Sequence, residues 1–178
     1  QILSGHSMVF GAGELGIIND EMEKIFLPDL KQDEFIKSII KLRGNYINFL
    51  SVISNKAYVT DKLPLNFHWL GFIKLIFPNA KIINIKRDPI ATAFSIYKTL
   101  FSEGTLEFSY DQDDIISFYH LYKDIMKFWN GFIKNDMLNI NYDELVNYPR
   151  DQAQVIFDYL NLSFDDRFLD IQNNKRSV

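Results

Sequence analysis

The stretch from residue 79 to residue 101 constrains the fold more than any other, because it predicts a strand, a tight turn and a helix in direct succession. Three isoleucines within residues 82–85 form a short β-branched apolar run, which is typical of a strand buried in a parallel sheet. Asp88 and Pro89 then offer an N-cap carboxylate and a proline at the first helical position. Apolar side chains recur after them at helical spacing and are expected to face the core, namely Ile90, Phe94, Tyr97 and Phe101.

Arg87 stands between the predicted strand and the predicted helix. Open α/β sheets bind ligands at the carboxyl ends of their strands, and a guanidinium beside a helix N-terminus suits a phosphate group. The alternative is that Arg87 pairs with Asp88 or another nearby carboxylate. Small hydroxyl side chains form a separate face of the same helix, at Thr92, Ser95 and Thr99.

A second cation follows a second predicted strand. Residues 56–60 predict a strand, and Lys62 lies at its exit as Arg87 does in the later stretch. Taken alone, Lys62 is better interpreted as a solvated loop lysine. Because the carboxyl ends of parallel strands lie along one edge of a sheet, two cations in these positions are expected to point into one crevice.

The predicted elements together give an α/β fold with a three-layer parallel sheet, built from three strand–helix units. The apolar helix at 66–77 is expected to be the crossover that joins the strand at residue 57 to the strand at residue 82. The further predictions are helices at 33–53 and 113–133, a strand at 137–141 that runs into Tyr142, and a helix from Pro149.

Glu14 follows a segment with two glycines at its amino side. Residues 1–8 are expected to be the end of a helix, and the glycines permit tight or left-handed turns that place Glu14 on a constrained loop. A glutamate in such a position is most often exposed or assists a helix N-terminus, and a catalytic role is the alternative.

Composition and charge exclude several classes of function. A net charge of −4 argues against a general nucleic-acid surface but not against an anionic ligand, which needs only local positive charge. The chain has no cysteine, and its three histidines are isolated, so no disulfide, no thiolate chemistry and no metal site are predicted. No run of about 18 apolar residues and no signal peptide are visible, so we expect no membrane span and a cytoplasmic location.

The two ends of the chain lack the usual features of a complete domain. The chain begins at Gln1 rather than at a methionine, and it stops at residue 178 without a closing element. We therefore expect a single domain over 1–178 that is truncated at both ends.

These features occur in an order and at a spacing that resemble a known family along nearly the whole chain. The chain resembles the sulfotransferases that use 3′-phosphoadenosine 5′-phosphosulfate (PAPS), most of all the bacterial branch often fused to tetratricopeptide repeats and related to the tyrosylprotein sulfotransferases. The block from Lys62 to Ser95 is its most specific part. The matching segments are 11–15, 61–67, 77–83, 87–89 with Ser95 and Tyr97, 141–145, and 174–178.

The resemblance implies a P-loop-NTPase-like sulfotransferase fold that binds PAPS, and it implies roles for five residues. Arg87 and Ser95 match the residues that hold the 3′-phosphate, and Tyr142 matches a tyrosine near the nucleotide. Lys62 matches the lysine beside the 5′-phosphosulfate, where it would neutralise charge on the bridging oxygen and the leaving group. Glu14 matches the general base that acts on the acceptor hydroxyl in the tyrosylprotein relatives.

The chain departs from the family pattern at its ends. The 5′-phosphosulfate loop, a Pro-Arg-Ser-Gly-Thr-type segment, is expected just before Gln1, and a further segment usually follows 175–178. We therefore expect the fold to be partial and the chain by itself to have little or no activity, the parent protein being the enzyme.

The predicted reaction is transfer of a sulfuryl group from PAPS to a hydroxyl of a carbohydrate, a protein tyrosine or a small molecule. The alternatives are a P-loop nucleotide kinase-like enzyme and a catalytically inactive nucleotide-binding or interaction module. Residues 61–64 followed by 87–89 and Ser95 favour the sulfotransferase over the kinase. Variable loops such as 102–113 shape the acceptor pocket in the family, so the sequence assigns neither an acceptor nor an oligomeric state.

Overall fold

The chain contains two compact units, each built around one pair of parallel strands. The computed structural model describes residues 1–26, 30–101, 106–133 and 136–170. The first unit consists of Gln1–Ala80 with the described residues from Asn161 onward, and the second is Lys81–Leu160. The predicted α/β class with parallel strands is therefore confirmed.

The first unit is a parallel strand pair with a helical crossover. Its strands β1 and β2 pair in the register Val9↔Tyr58, Phe10↔Val59, Gly11↔Thr60 and Gly13↔Asp61. Its elements in chain order are a 3₁₀ helix at Leu3–Gly5, β1 at Val9–Gly13, α1 at Ile17–Phe26, α2 at Gln32–Ile53, β2 at Tyr58–Asp61, a 3₁₀ helix at Pro64–Trp69, α3 at Leu70–Ile76 and a 3₁₀ helix at Asp166–Leu169.

The core of the first unit forms where α1, α2 and α3 meet. Met22 is fully buried and Leu42 nearly so, and the phenol ring of Tyr46 lies 5.1 Å from the ring of Phe77. Burial of these apolar side chains is the main force that holds the crossover helices together. The buried members of the cluster are Ile18, Met22, Ile25, Leu42, Tyr46 and Ile76.

The second unit repeats the parallel arrangement with different helices. Strands β3 and β4 pair without a register shift from Ile82↔Met137 to Lys86↔Asn141, and the Asn84 amide donates to Asn139 Oδ1 across the pair at 2.9 Å. Its elements are β3 at Ile82–Lys86, α4 at Pro89–Tyr97, a 3₁₀ helix at Glu107–Tyr110, α5 at Gln112–Ile133, β4 at Met137–Asn141, α6 at Tyr142–Asn147 and α7 at Pro149–Tyr159.

The start of α4 is confirmed as predicted. Asp88 is the N-cap, and its Oδ1 accepts a hydrogen bond from the Ala91 N–H at 2.8 Å. Pro89 takes the first helical position, where its missing N–H costs nothing.

The predicted core-facing side of α4 is wrong. Ile90, Phe94 and Tyr97 are 78%, 64% and 48% exposed, whereas Thr92 and Ser95 lie on the half-buried side. Apolar residues also occur on the half-buried side, at Ala91, Ala93 and Ile96, so the apolar spacing does not identify one covered face. The contacts with α5 and with the 3₁₀ helix at Glu107–Tyr110 leave Ile90, Phe94 and Tyr97 outside.

Other local predictions are corrected as well. Residues 9–13 form strand β1 rather than a loop, and residues 1–8 contain a short 3₁₀ helix. The helix predicted at 66–77 is a 3₁₀ helix followed by the short α3. Among the described residues β2 pairs with β1 and β3 pairs with β4, so the two strands on either side of the predicted crossover are not hydrogen-bonded to each other. Backbone hydrogen bonds over a wide sequence separation decide this pairing, and local apolar runs do not encode it.

Candidate functional site

Glu14 and Lys62 lie together at the carboxyl ends of β1 and β2. The register pairs Gly13 with Asp61, so the next residue of each strand emerges at the same edge. The Lys62 N–H donates to the Gly13 carbonyl at 2.8 Å, and the Lys62 ammonium donates to a Glu14 carboxylate oxygen. The structure therefore brings two of the predicted site residues into one ion pair.

The turn that presents Glu14 depends on glycine. The register shifts between Gly11 and Gly13, so Ala12 is an extra residue on β1, as in a β-bulge. Gly13 has a φ of 89°, in the left-handed region that side chains disfavour. The bulge and this conformation redirect the chain at the strand end, so the predicted left-handed conformation is confirmed at Gly13.

The Glu14–Lys62 pair is open to solvent. The Lys62 side chain is 69% exposed and that of Glu14 is 54% exposed. Ion pairs of this kind contribute about 0–1 kcal/mol. An anionic ligand can therefore take over the ammonium at low cost, and the carboxylate is accessible to an approaching hydroxyl.

Beside this pair, the partly buried carboxylate of Asp61 has two donors. Oδ1 accepts from the Leu15 N–H at 3.1 Å, and Oδ2 accepts from the Tyr46 hydroxyl at 2.8 Å. Burial raises the pKa of Asp61, and the bonds from Tyr46 and Leu15 oppose that rise. Burial also raises the pKa of Tyr46 far above its ordinary value, and the adjacent Asp61 charge adds to the effect, so this phenol stays protonated and keeps donating.

Sequence reasoning missed the link between Tyr46 and Asp61. The sequence places Tyr46 only within the helix predicted at 33–53, and it assigns Asp61 no separate role. One signal was present, because a tyrosine on a buried helix face needs a partner for its hydroxyl. The sequence did not show which polar residue would supply it.

Arg87 and Tyr142 meet in the second unit, at the carboxyl ends of β3 and β4. Lys86 and Asn141 are register partners, and each predicted residue follows one of them. The guanidinium carbon of Arg87 lies 5.1 Å from the centre of the Tyr142 ring. Asn141 fixes the start of α6, since its Oδ1 accepts from the N–H groups of Asp143 and Glu144 at 2.8 and 3.2 Å.

An ion pair between Arg87 and Asp88 or another nearby carboxylate, which was the alternative for Arg87, does not occur among the described residues. The Asp88 carboxylate caps α4, and no described carboxylate lies within ion-pair distance of the Arg87 guanidinium. The Thr92 hydroxyl on α4 donates to the Asp88 carbonyl at 2.8 Å, and just beyond the end of the helix the Thr99 hydroxyl donates to the Ser95 carbonyl at 2.7 Å. Ser95 lies two turns into this helix on its half-buried side.

Two findings bear on metals and membranes. Over the described ranges, no group of three or more histidine, aspartate or glutamate side chains is arranged to hold a metal ion, and the predicted absence of a metal stays a prediction. None of the helices in the described part of the chain is both long and apolar enough to cross a membrane. The matching segment 174–178 and the loop residues 102–105 lie outside the described residues.

Comparison with known proteins gives one family and one fold. The sequence profile of the sulfotransferase family matches residues 40–166, more than half of the chain. That range contains Lys62, Arg87, Ser95 and Tyr142, whereas Glu14 lies before it.

Two similar proteins extend this comparison. An uncharacterized protein of Aquifex aeolicus (strain VF5) is 30% identical over 195 aligned positions, which cover the whole chain and 25% of that protein. The chain thus spans about a quarter of the length of this relative. A sulfotransferase domain from the curacin biosynthetic pathway matches 99% of the chain and 72% of its own length, with a TM-score of 0.65 and 16% identity. At that identity the similarity shows the fold alone, and it confirms the predicted sulfotransferase fold.

Proposed function

This chain belongs to the sulfotransferase family, and on that premise we propose that it carries donor-binding and catalytic residues of an enzyme that uses PAPS. The observation that carries the proposal is the state of Arg87. Its guanidinium lies on the Tyr142 ring beside the N-terminus of α4, with no carboxylate partner among the described residues. A cation in this position is suited to a phosphate group.

The residues of the second unit fit a nucleotide that carries a 3′-phosphate. Arg87 offers the fork of N–H donors that binds phosphate oxygens in pairs. Ser95 adds a hydroxyl on the half-buried side of α4, the helix whose positive end begins at Pro89. The Tyr142 ring contacts the guanidinium through a cation–π interaction. We assign Arg87, Ser95 and Tyr142 to the 3′-phosphate side of the donor.

Lys62 and Glu14 serve the chemical step in this proposal. PAPS, when bound, supplies the sulfuryl group that an acceptor hydroxyl receives. The exposed Lys62 ammonium neutralises negative charge on the 5′ side of the donor, as cations do in related phosphoryl transfers. The Glu14 carboxylate takes the proton of the acceptor hydroxyl, a role worth about 10²–10⁴ in rate for a positioned base.

The acceptor class is a hydroxyl of a carbohydrate, a protein tyrosine or a small molecule. The accessible Glu14 carboxylate is compatible with each of them. We also propose that residues 1–178 belong to one sulfotransferase domain.

Calorimetric titration with 3′-phosphoadenosine 5′-phosphate tests the proposal, in the full natural protein and in the chain. Arg87→Ala should weaken binding about tenfold or more, and Ser95→Ala by a smaller factor, because hydrogen bonds to charged groups contribute about 1.5–3 kcal/mol. Arg43→Ala and Ser117→Ala are matched controls, since both residues lie on exposed helix positions and should bind like the wild type. Transfer of labelled sulfate to carbohydrate, tyrosyl peptide and phenol acceptors then identifies the acceptor.

Two results would contradict the proposal. Preference of the full natural protein for ATP over the 3′-phosphorylated nucleotide would indicate a kinase. Binding of neither nucleotide would indicate an interaction module without donor chemistry.

A further inference from the structure

The carboxylate of Asp61 links the segment that carries Lys62 to the segment that carries Glu14. Asp61 directly precedes Lys62 in the chain, and its Oδ1 accepts from the N–H of Leu15, which directly follows Glu14. The Lys62 N–H in turn donates to the Gly13 carbonyl at 2.8 Å. Two hydrogen bonds therefore join the two backbone segments next to the ion pair, one from Leu15 to Asp61 and one from Lys62 to Gly13.

The second oxygen of Asp61 is anchored in the core. Oδ2 accepts from the Tyr46 hydroxyl at 2.8 Å, and Tyr46 is 6% exposed within the cluster that contains Met22 and Leu42. A side chain packed at this density has little freedom to shift. Tyr46 therefore holds the Asp61 carboxylate in one place relative to the helices of the first unit.

The ion pair alone does not fix the positions of Glu14 and Lys62. Both side chains are mostly exposed, and exposed ion pairs are weak and mobile. Gly13, which precedes Glu14, has the conformational freedom of a glycine at positive φ. Together with the backbone bond from Lys62 to Gly13, the Asp61 bonds to Leu15 and Tyr46 therefore fix the segments that carry Glu14 and Lys62.

We propose that Asp61 and Tyr46 are positioning residues, which hold the backbone of Glu14 and Lys62 in register for sulfuryl transfer. This inference rests on the function proposed for Glu14 and Lys62. Neither Asp61 nor Tyr46 has to touch a substrate for this role. A misplacement of catalytic groups by about 1 Å is enough to lower a rate about 10²-fold.

Amide hydrogen exchange tests the positioning role without any activity measurement. Tyr46→Phe keeps the ring in the core and removes the hydroxyl alone, so the fold should survive. We expect protection of the Lys62 amide to fall about tenfold or more in Tyr46→Phe and in Asp61→Ala, since a hydrogen bond to a charged group is lost. The Lys62 amide bonds to Gly13 rather than to Asp61, so its response reports on the backbone. Tyr58→Phe on the same strand is the matched control and should not change it.

Kinetics in the full natural protein supply the second readout. Asp61→Ala should lower kcat by about 10²-fold while the affinity for 3′-phosphoadenosine 5′-phosphate stays unchanged. Asp61→Asn should restore most of the rate, because its amide accepts from Leu15 and donates to the Tyr46 oxygen. When Glu14→Gln is already present, Asp61→Ala should lower kcat by a smaller factor than it does in the wild type, as expected for residues that act together.

The outcomes separate this proposal from the proposed function. Unchanged protection of the Lys62 amide in both variants would overturn the positioning role, whatever the activity. Failure of Asp61→Asn to restore the rate would also overturn it. If the wild type transfers no sulfuryl group yet the Lys62 amide loses its protection, the proposed function fails and the structural role of Asp61 stands.

Discussion

The guanidinium carbon of Arg87 lies 5.1 Å from the centre of the Tyr142 ring, although 55 positions separate the two residues in the sequence. The parallel register of β3 and β4 produces this approach, because Lys86 and Asn141 are partners and the two residues come next in their strands. The family resemblance implied that both residues lie near the nucleotide. The structure adds a direct physical relation between them, a cation–π contact of about 0.5–1 kcal/mol at an exposed site.

The ring of Tyr142, rather than its hydroxyl, should therefore matter for nucleotide binding. Tyr142→Phe is expected to bind 3′-phosphoadenosine 5′-phosphate like the wild type, whereas Tyr142→Ala should bind about two- to fivefold more weakly. Calorimetry measures both affinities, and Tyr148→Ala, another exposed tyrosine, is the control. If Tyr142→Phe and Tyr142→Ala lost the same affinity for the nucleotide, the hydroxyl rather than the ring would contribute to binding.

Glu14→Gln should lower kcat of the full natural protein by about 10²–10⁴-fold, because glutamine keeps the shape of the side chain and removes its basicity. The affinity for the nucleotide, which we assign to other residues, should stay the same. Steady-state kinetics beside calorimetry separate the two effects. Glu107→Gln, at another exposed glutamate, should keep the wild-type rate. A wild-type rate in Glu14→Gln would exclude this residue as the base.

Lys62→Met should separate stability from activity. The Glu14–Lys62 pair is mostly exposed, so its loss should change the free energy of unfolding by about 0–1 kcal/mol. Loss of a positioned cation should lower kcat about 10²–10³-fold, and Lys62→Arg should recover part of it by restoring the charge. Urea unfolding and kinetics on the same preparations check both halves, with Lys37→Met as the control on an exposed helix position. A large loss of stability with an unchanged kcat would contradict both the small structural contribution of the ion pair and the catalytic role of Lys62.

The stability of the first unit should depend on the protonation of Asp61. Burial raises the pKa of Asp61 above its ordinary value of about 3.9, so the folded state favours the protonated acid. This contribution is fully present below the unfolded pKa and is lost as the pH rises through the raised folded pKa. Asp61→Asn does not titrate, so its stability relative to the wild type should be greatest near pH 7 and should decrease as the pH is lowered towards 4.

Urea unfolding of both proteins between pH 4 and 7 measures this difference. Asp124→Asn, which makes the same substitution at an exposed position of α5, is the matched control. A stability difference for Asp61→Asn that is constant over this pH range would contradict the raised pKa.

Much of the local structure could be predicted from the sequence. The Asp88 cap, Pro89 at the first turn, the strand at Ile82–Lys86 and the helix at Gln32–Ile53 follow from propensity and periodicity, which act within a few residues. The covered face of α4 could not be predicted. Its large side chains Ile90 and Phe94 are exposed, whereas Thr92, Ser95 and Ile96 lie on the partly covered side, and the pattern within the helix does not record which side α5 contacts.

The sequence by itself determined that cations follow the strands at residues 62 and 87, and that a constrained segment precedes Glu14. Only the tertiary structure decided that Glu14 faces Lys62, 48 positions away, and that the hydroxyl of Tyr46 bonds to Asp61. The physical reason is that helix caps and strand propensities act locally. Strand pairing and core burial instead select partners that are distant in the chain, and no local pattern records them.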